Sequence, residues 1–143
     1  MKLKTNRGMH ALYNLEYHIV MTTKDRKPCI NEEIFVTLKD QLVRVAKINF
    51  CEIKDIRYEK DYVHIILEGR PASCISNIVN AMKATSSRKV REKHSEYLSQ
   101  FYDKATFWNQ SYLLLSSGNV PDNIIEQYVQ NHSTQSYKRE VII

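Results

Sequence analysis

The 143-residue sequence contains little glycine and little proline, with three residues of each. Such low numbers exclude a linker-rich or low-complexity chain. The three cysteines, Cys29, Cys51 and Cys74, are odd in number and widely spaced, a pattern that fits neither a disulfide framework nor a zinc ribbon. At about 100–200 residues per domain, the length predicts one globular domain over residues 1–143.

Long hydrophobic runs are also missing. Apolar stretches such as 112–115 fall far short of the roughly 20 residues that a membrane-spanning helix needs. The N-terminus is basic, but no apolar segment of about 7 residues follows it, so we expect no secretory signal. These absences predict a cytoplasmic protein.

Positive charge exceeds negative charge, since 21 Lys and Arg against 16 Asp and Glu give a net charge of +5. A small basic domain attracts polyanions, and nucleic acid is the foremost of these. The candidate contacts to a nucleic-acid backbone lie in one loop and one helix: Lys24, Arg26, Lys27, Lys83, Arg88 and Lys89. A charged run of this kind is equally typical of a solvated helix face.

Hydrophobic periodicity predicts four strands, at 15–22, 50–59, 62–68 and 111–116, with a bulge in the second. It predicts helices that begin after Asn31, after Ser73 and near Pro121. The order β-α-β-β-α-β is the split-βαβ pattern. We therefore predict an α+β, ferredoxin-like (RRM-like) four-stranded antiparallel sheet, with a core at about 12–117, an extra C-terminal helix at about 120–133 that carries a tyrosine, and a loosely held tail at 134–143.

Two pairs of polar residues are placed to act together. Tyr62 and His64 are two apart on a strand and leave the same face, and Tyr128 and His132 are four apart and share one face of the last helix. Half-buried or core packing explains each pair equally well. His18 can approach the Tyr62/His64 face because the first and third strands of this fold are neighbours, and we interpret it as structural.

Five segments in order carry a family resemblance. They are 16–20 (EYHIV), 23–28 (TKDRKP), 61–66 (DYVHII), 107–112 (FWNQSY) and 127–132 (QYVQNH). Over about residues 5–133 the chain resembles the HUH single-tyrosine transposases of small bacterial insertion sequences, the IS200-like group. The resemblance implies a ferredoxin-like sheet, one divalent metal ion held by a His-hydrophobic-His pair and a helix glutamine, and a nucleophilic tyrosine one turn before that glutamine.

By position, the resemblance implies that Tyr128 is the nucleophile and that His64, Tyr62 and His132 occupy the metal-binding positions. Tyr62 stands where the first histidine belongs, and His132 stands where the glutamine belongs. The implied cofactor is Mg²⁺ or Mn²⁺, which would polarise the scissile phosphate, because a phenol with a pKa near ~10 is a poor nucleophile. A phenol is also a weak ligand for these ions, so we expect reduced metal affinity.

The function implied by the resemblance is that of a nucleoid-associated DNA transposase. It binds hairpins in single-stranded DNA and cuts and rejoins one strand through a 5′-phosphotyrosine link. The resemblance also implies a homodimer in which the tyrosine helix of one subunit completes the site of the other, with Gly118 as the hinge. Two alternatives remain open: a catalytically degenerate or domesticated relative that regulates by binding DNA hairpins, and an RRM-like RNA-binding module with stacking aromatics such as Tyr17.

Overall fold

The computed structural model describes residues 6–7, 12–116 and 122–131. The strands are β1 (Asn6–Arg7), β2 (Leu12–Tyr13), β3 (Leu15–Thr22), β4 (Glu52–Glu59), β5 (Tyr62–Gly69) and β6 (Leu113–Ser116). The helices are α1 (Glu32–Ile48), α2 (Ile75–Lys93), α3 (Ser95–Leu98) and α4 (Asp122–Asn131), and a 3-10 turn spans Lys24–Arg26. His132, Gly118 and the tail at 134–143 lie outside the described residues. No helix in the described ranges is long and apolar enough to cross a membrane.

The main sheet has the strand order β4-β5-β3-β6, and every neighbouring pair is antiparallel. This order places the first and third long strands at the centre, which confirms the predicted ferredoxin-like α+β fold. In the centre of the sheet Val20 pairs with His64 on one side and with Leu113 on the other. The register shifts between Ile53 and Asp55, so the predicted bulge in β4 is present. The short strands β1 and β2 form a separate antiparallel pair.

The helix starts follow capping chemistry, with one correction to the sequence prediction. The Oδ1 atom of Asn31 accepts a hydrogen bond from the Ile34 amide at 2.8 Å and caps α1, as predicted. The predicted cap of α2, Ser73, is wrong by one residue, because Cys74 occupies the cap position. The hydroxyl of Ser73 instead accepts a hydrogen bond from the Arg70 amide at 3.0 Å, within the turn that precedes the helix.

Helices α1 and α2 cover one side of the sheet, which we call the α1/α2 face. Alternate strand residues point toward this face, and Ile19, Ile65 and Leu67 are fully buried there. They pack with apolar residues of the two helices and of the connection before β6: Ile34, Leu38, Leu42, Val79, Met82 and Phe107. Burial of each such side chain contributes about 1.5–3 kcal/mol, so this layer is the main source of stability.

The opposite side of the sheet, the α4 face, is covered by the last helix. Val20, Leu113 and Leu115 of the sheet form a second buried cluster with Tyr128 and Val129 of α4. Tyr62, Ile124 and Ile125 pack at its margin. The strand residues of the α4 face alternate with those of the α1/α2 face, so the polar side chains of β3 and β5 that point away from the main core lie here.

Candidate active site

Strand β5 places Tyr62 and His64 on the α4 face, as predicted. Solvent exposure alternates along the strand: Val63, Ile65 and Leu67 are buried in the main core, and the residues between them are only partly buried. The period of two sends both polar side chains to the same side of the sheet. Tyr62 and His64 are therefore neighbours on the face that α4 covers.

His18 makes a direct contact with His64. The two residues lie on paired strands and are diagonal neighbours, because His64 pairs with Val20 and His18 pairs with Ile66. The Nδ1 atom of His18 lies 2.9 Å from the Nε2 atom of His64, and the ring centroids are 5.2 Å apart. The sequence brought His18 near this face, and the structure adds a hydrogen bond that the predicted ligand set did not contain.

Both imidazoles of this pair favour the neutral form. Burial lowers the pKa of His18, and burial also lowers the pKa of His64, with further lowering by the charges of His18 and Arg57. A neutral imidazole has one N–H donor and one lone pair. The hydrogen bond thus joins an N–H of one ring to the lone pair of the other.

Tyr62 borders a cavity of about 440 Å³ between β5, the turn before it and α4. The cavity is lined by Arg26, Pro28, Glu59, Lys60, Asp61, Tyr62, Glu126, Val129 and Gln130. Burial raises the pKa of the Tyr62 phenol, and the carboxylates of Glu59, Asp61 and Glu126 raise it further. The phenol stays protonated at neutral pH and is a poor ligand for a divalent cation.

Tyr128 lies on α4 with its ring in the buried cluster of the α4 face, and only 3% of the residue is exposed. Its hydroxyl lies 3.4 Å from the Oγ atom of Ser111. In this position the α4 helix covers the phenol against the sheet. The phenol is therefore shielded from solvent while α4 occupies this position.

The described residues contribute only part of the predicted metal site. Within the described ranges, no group of three or more His, Cys, Asp or Glu residues is arranged to hold a metal ion. Of the predicted ligands, His64 is a good donor, Tyr62 is a neutral phenol, and His132 lies outside the described residues. His18 is the second imidazole that the structure places within contact of His64.

The six candidate DNA-contacting cations fall into two groups. Lys24, Arg26 and Lys27 follow β3, and the Nε atom of Arg26 forms an ion pair of 2.5 Å with Asp61 beside the cavity at Tyr62. The other three lie on α2: Lys83, Arg88 and Lys89. Arg88 and Lys89 are exposed, whereas Lys83 is half-buried, and its Nζ atom donates to the Gln110 carbonyl at 2.6 Å. Burial lowers the pKa of Lys83. The two groups therefore lie on different elements, the turn after β3 and the helix α2.

The structure shows two contacts at this site that the sequence analysis did not predict. The His18–His64 hydrogen bond had a usable signal, because the fold places β3 beside β5 and the histidine stands on β3. The Ser111–Tyr128 contact had none, since serines before a strand are common and no pattern links residue 111 to a helix 17 residues later.

The comparisons with known proteins agree with this geometry. The sequence profile of the family described as "Transposase IS200 like" matches residues 11–132. The ISDra2 transposase TnpA of Deinococcus radiodurans is 27% identical over 129 residues, which cover 90% of this chain and 91% of that protein. The transposase of insertion sequence element IS200 from Salmonella typhimurium is 27% identical over 114 residues, which cover 76% of this chain and 71% of that protein.

Two solved structures share the fold. A crystal structure at 1.90 Å of a protein from Deinococcus radiodurans R1, described as a transposase, has a TM-score of 0.78 and 30% identity, with 89% of this chain and 97% of that chain covered. The REP-associated tyrosine transposase bound to a REP hairpin has a TM-score of 0.55 and 10% identity, with 87% of this chain and 70% of that chain covered, and shows the fold alone. Because the family profile spans most of the sequence, the chain belongs to the IS200-like transposase family.

Proposed function

We propose that this transposase binds hairpins in single-stranded DNA and cuts and rejoins one strand through a 5′-phosphotyrosine link at Tyr128. The phenol oxygen attacks a backbone phosphate, the phosphorus–oxygen bond to the 3′ oxygen breaks, and a free 3′-OH leaves. The phosphotyrosine keeps the energy of the ester bond, so attack by a 3′-OH rejoins the strand without ATP.

The observation that carries this proposal is the shared location of the tyrosine and the histidines. Tyr128 packs on Val20 and Leu115, and these residues pair in the sheet with His64 and His18 respectively. A nucleophile and imidazole groups on one face of a rigid sheet suit strand cleavage, because the chemistry needs both at one phosphodiester. The relatives from Deinococcus and Salmonella support the assignment through their descriptions as transposases.

The burial of Tyr128 supports a second element of the proposal, a homodimer with an exchanged α4. The phenol is covered by its own helix, so the cleaving state needs α4 to swing away from the position it occupies here. A partner subunit carries the same histidines, and α4 docked on that subunit in an orientation that exposes the phenol would place Tyr128 of one protomer over the histidines of the other. Gly118 is the proposed hinge because glycine adopts backbone conformations that other residues avoid.

A divalent ion completes the proposed chemistry. When bound, it would polarise the phosphate and offset the charge that develops during attack. His64 is the residue of the described site best suited to hold it, and His132 is a further proposed ligand. Tyr62 stands at the remaining metal-binding position of the family, where its protonated phenol would bind the ion only weakly. The proposed DNA contacts are Lys24, Arg26 and Lys27 beside the site and Lys83, Arg88 and Lys89 on α2. The REP-associated transposase, which shares the fold, is bound to a REP hairpin, and a DNA hairpin is the substrate class that we propose for this chain.

A non-cleaving DNA-hairpin regulator is the second candidate function. It is favoured by the burial of Tyr128 and by the incomplete metal site within the described residues. This candidate requires binding of DNA but no covalent step.

One experiment separates these two functions. The chain is incubated with Mn²⁺ and a single-stranded, hairpin-bearing DNA whose strand is labelled 3′ to the cleavage site, and the products are separated on a denaturing gel. We expect a covalent protein–DNA adduct for the unmodified chain and none for Tyr128→Phe, with hairpin binding retained in both. Tyr112→Phe is the matched control, because this half-buried tyrosine lies just before β6 and outside the proposed site. Hairpin binding without an adduct in the unmodified chain would establish the regulator instead.

A further inference from the structure

We propose that His18, rather than Tyr62, is the second ligand beside His64 in a divalent transition-metal site on the α4 face. The Nδ1 atom of His18 and the Nε2 atom of His64 would both bind the ion. The role of this ion in strand cleavage rests on the proposed function, but the metal-binding site does not.

The distance between the two nitrogens is the spacing of ligands on one ion. For metal–nitrogen bonds of about 2.1 Å, adjacent nitrogens lie about 3.0 Å apart in octahedral geometry and about 3.4 Å apart in tetrahedral geometry. The observed separation is 2.9 Å. Binding therefore needs a small turn of the two rings and no movement of the paired strands β3 and β5.

The hydrogen bond converts to metal binding without loss of a proton. One ring now presents its N–H to the lone pair of the other ring. A change of tautomer in the donor ring moves that proton to its other nitrogen, and both facing nitrogens then carry lone pairs. Each neutral imidazole keeps one N–H, as is usual for metal-bound histidine.

The position of Tyr62 favours the imidazole over the phenol. Tyr62 lines the cavity that it shares with Glu59, Asp61 and Glu126, whereas the ring of His18 already lies within contact of His64. Imidazole suits Zn²⁺, Cu²⁺, Fe²⁺ and Ni²⁺ better than Mg²⁺, so a pair of histidines favours this class of ion. Two protein ligands leave positions open for water and a phosphate oxygen, and an open position distinguishes catalytic from structural metal sites.

The test identifies the binding nitrogens directly in the unmodified, tag-free chain. Zn²⁺ is added to ¹⁵N-labelled protein, and the side-chain nitrogens of the histidines are followed by long-range ¹H–¹⁵N NMR. We expect the resonances of His18 Nδ1 and His64 Nε2 to move to metal-bound positions, while His94 keeps its shifts. Movement at His64 without movement at His18, or no movement at either ring, overturns the proposal.

Variants give a second measurement, in which Zn²⁺ affinity is measured by competition with a chelating dye. We expect His18→Gln and His64→Gln each to weaken Zn²⁺ binding by at least about tenfold. Loss of a residue that merely hydrogen-bonds to a metal ligand already lowers metal affinity by about that factor. Tyr62→Phe should leave the affinity unchanged. His94→Gln is the matched control, because His94 is also half-buried and its Nε2 atom lies 2.8 Å from Thr37 Oγ1 on another helix. Weaker binding by Tyr62→Phe with full binding by His18→Gln contradicts the proposal.

The two proposals fail in different ways. If Zn²⁺ binds at both histidines but the chain never forms an adduct at Tyr128, the proposed metal site is correct and the proposed cleavage function is wrong. If the unmodified chain and His18→Gln form the adduct equally well and bind the metal with equal affinity, the cleavage function is supported and His18 is not a metal ligand.

Discussion

Among the described residues, the two faces of the sheet are covered by very different amounts of structure. On the α1/α2 face, helices of 17 and 19 residues bury a continuous core that includes Ile19, Ile65 and Phe107. On the α4 face, the described cover is one helix of 10 residues over a small cluster around Val20 and Leu113. The proposed site residues His18, His64 and Tyr128 all lie on this second face.

This difference separates stability from function within one sheet. An isolated helix shorter than about 12–15 residues is marginal in water, so α4 depends on its contacts with the sheet. Those contacts are few among the described residues, and we expect their loss to leave the α1/α2 core intact. Elements that move during function come from the regions with the lowest opening free energy. We therefore expect α4 to detach while the rest of the domain stays folded.

The largest effect should come from a cavity in the α1/α2 core. Ile65 is fully buried at the centre of β5, where it pairs with Ile19 and Ile56. Ile65→Ala should lower the free energy of unfolding by about 2–5 kcal/mol, because a rigid sheet cannot collapse into the space. Urea denaturation followed by circular dichroism measures this change.

Cys29 provides an independent readout of the same opening. Burial raises the pKa of its thiol to about 11, so at pH 8 the folded protein holds it protonated and shielded. Ile65→Ala should accelerate alkylation of Cys29, because the unfolded chain exposes a thiol of ordinary pKa. A variant that keeps both the unfolding midpoint and the slow alkylation would show that the main core is not on this face.

A smaller and more local effect is expected on the α4 face. Val129 is 3% exposed and packs with Tyr128 against the sheet. Val129→Ala removes about two methylene equivalents of burial and should weaken the docking of α4 by about 1–2 kcal/mol. Hydrogen exchange should show faster exchange of the α4 amides and unchanged protection in β3 and β5. Faster exchange throughout the sheet would mean that the two faces unfold together.

The fold was predictable because each long element has a strong local signal. The strand at 15–22 and the helix after Asn31 have the predicted boundaries to within a residue, since periodicity and a capping side chain agree there. The cap of α2 was missed because Ser73 and Cys74 are adjacent and the turn uses the serine hydroxyl. The short pair β1 and β2 was also missed, since two-residue strands carry no periodicity.

The site was predictable within one element, and between elements only as far as which strands are neighbours. The alternation of β5 placed Tyr62 and His64 on one face, and strand adjacency brought His18 near that face, but the contact between His18 and His64 depends on the register that joins two residues 46 positions apart. Strand register is set by the hydrophobic pattern together with turn geometry, and the connection between β3 and β5 is too long for a turn to fix it. The burial of Tyr128 was one of the two interpretations that the sequence left open, but an amphipathic helix does not reveal which surface it covers.

The hydroxyl of Tyr128 should matter much less to stability than to chemistry. Tyr128→Phe keeps the ring in the α4 cluster and removes one contact of 3.4 Å with Ser111. We expect a change of about 0.5–1.5 kcal/mol or less in the free energy of unfolding, the usual range for one hydrogen bond. Thermal denaturation measures it, and Ser111→Ala is the matched variant. A loss as large as that of Ile65→Ala would mean that the phenol is a structural anchor rather than a releasable nucleophile.

The smallest effect is expected for the outer surface of α1, the side that faces away from the sheet. It tests whether α1 contributes to stability only through the side that packs on the sheet. Arg44 and Asp40 form an i,i+4 ion pair of 3.7 Å, and about two thirds of each side chain is exposed. Solvent screens such a pair, so Arg44→Gln should change the free energy of unfolding by about 0.5 kcal/mol or less, and added salt should reduce even this difference. Urea denaturation at low and high salt measures both. A larger loss of unfolding free energy that does not depend on salt would show that the outer side of α1 is itself packed against another surface. The comparison of the two faces would then have to include a contact that α1 makes outside the single chain.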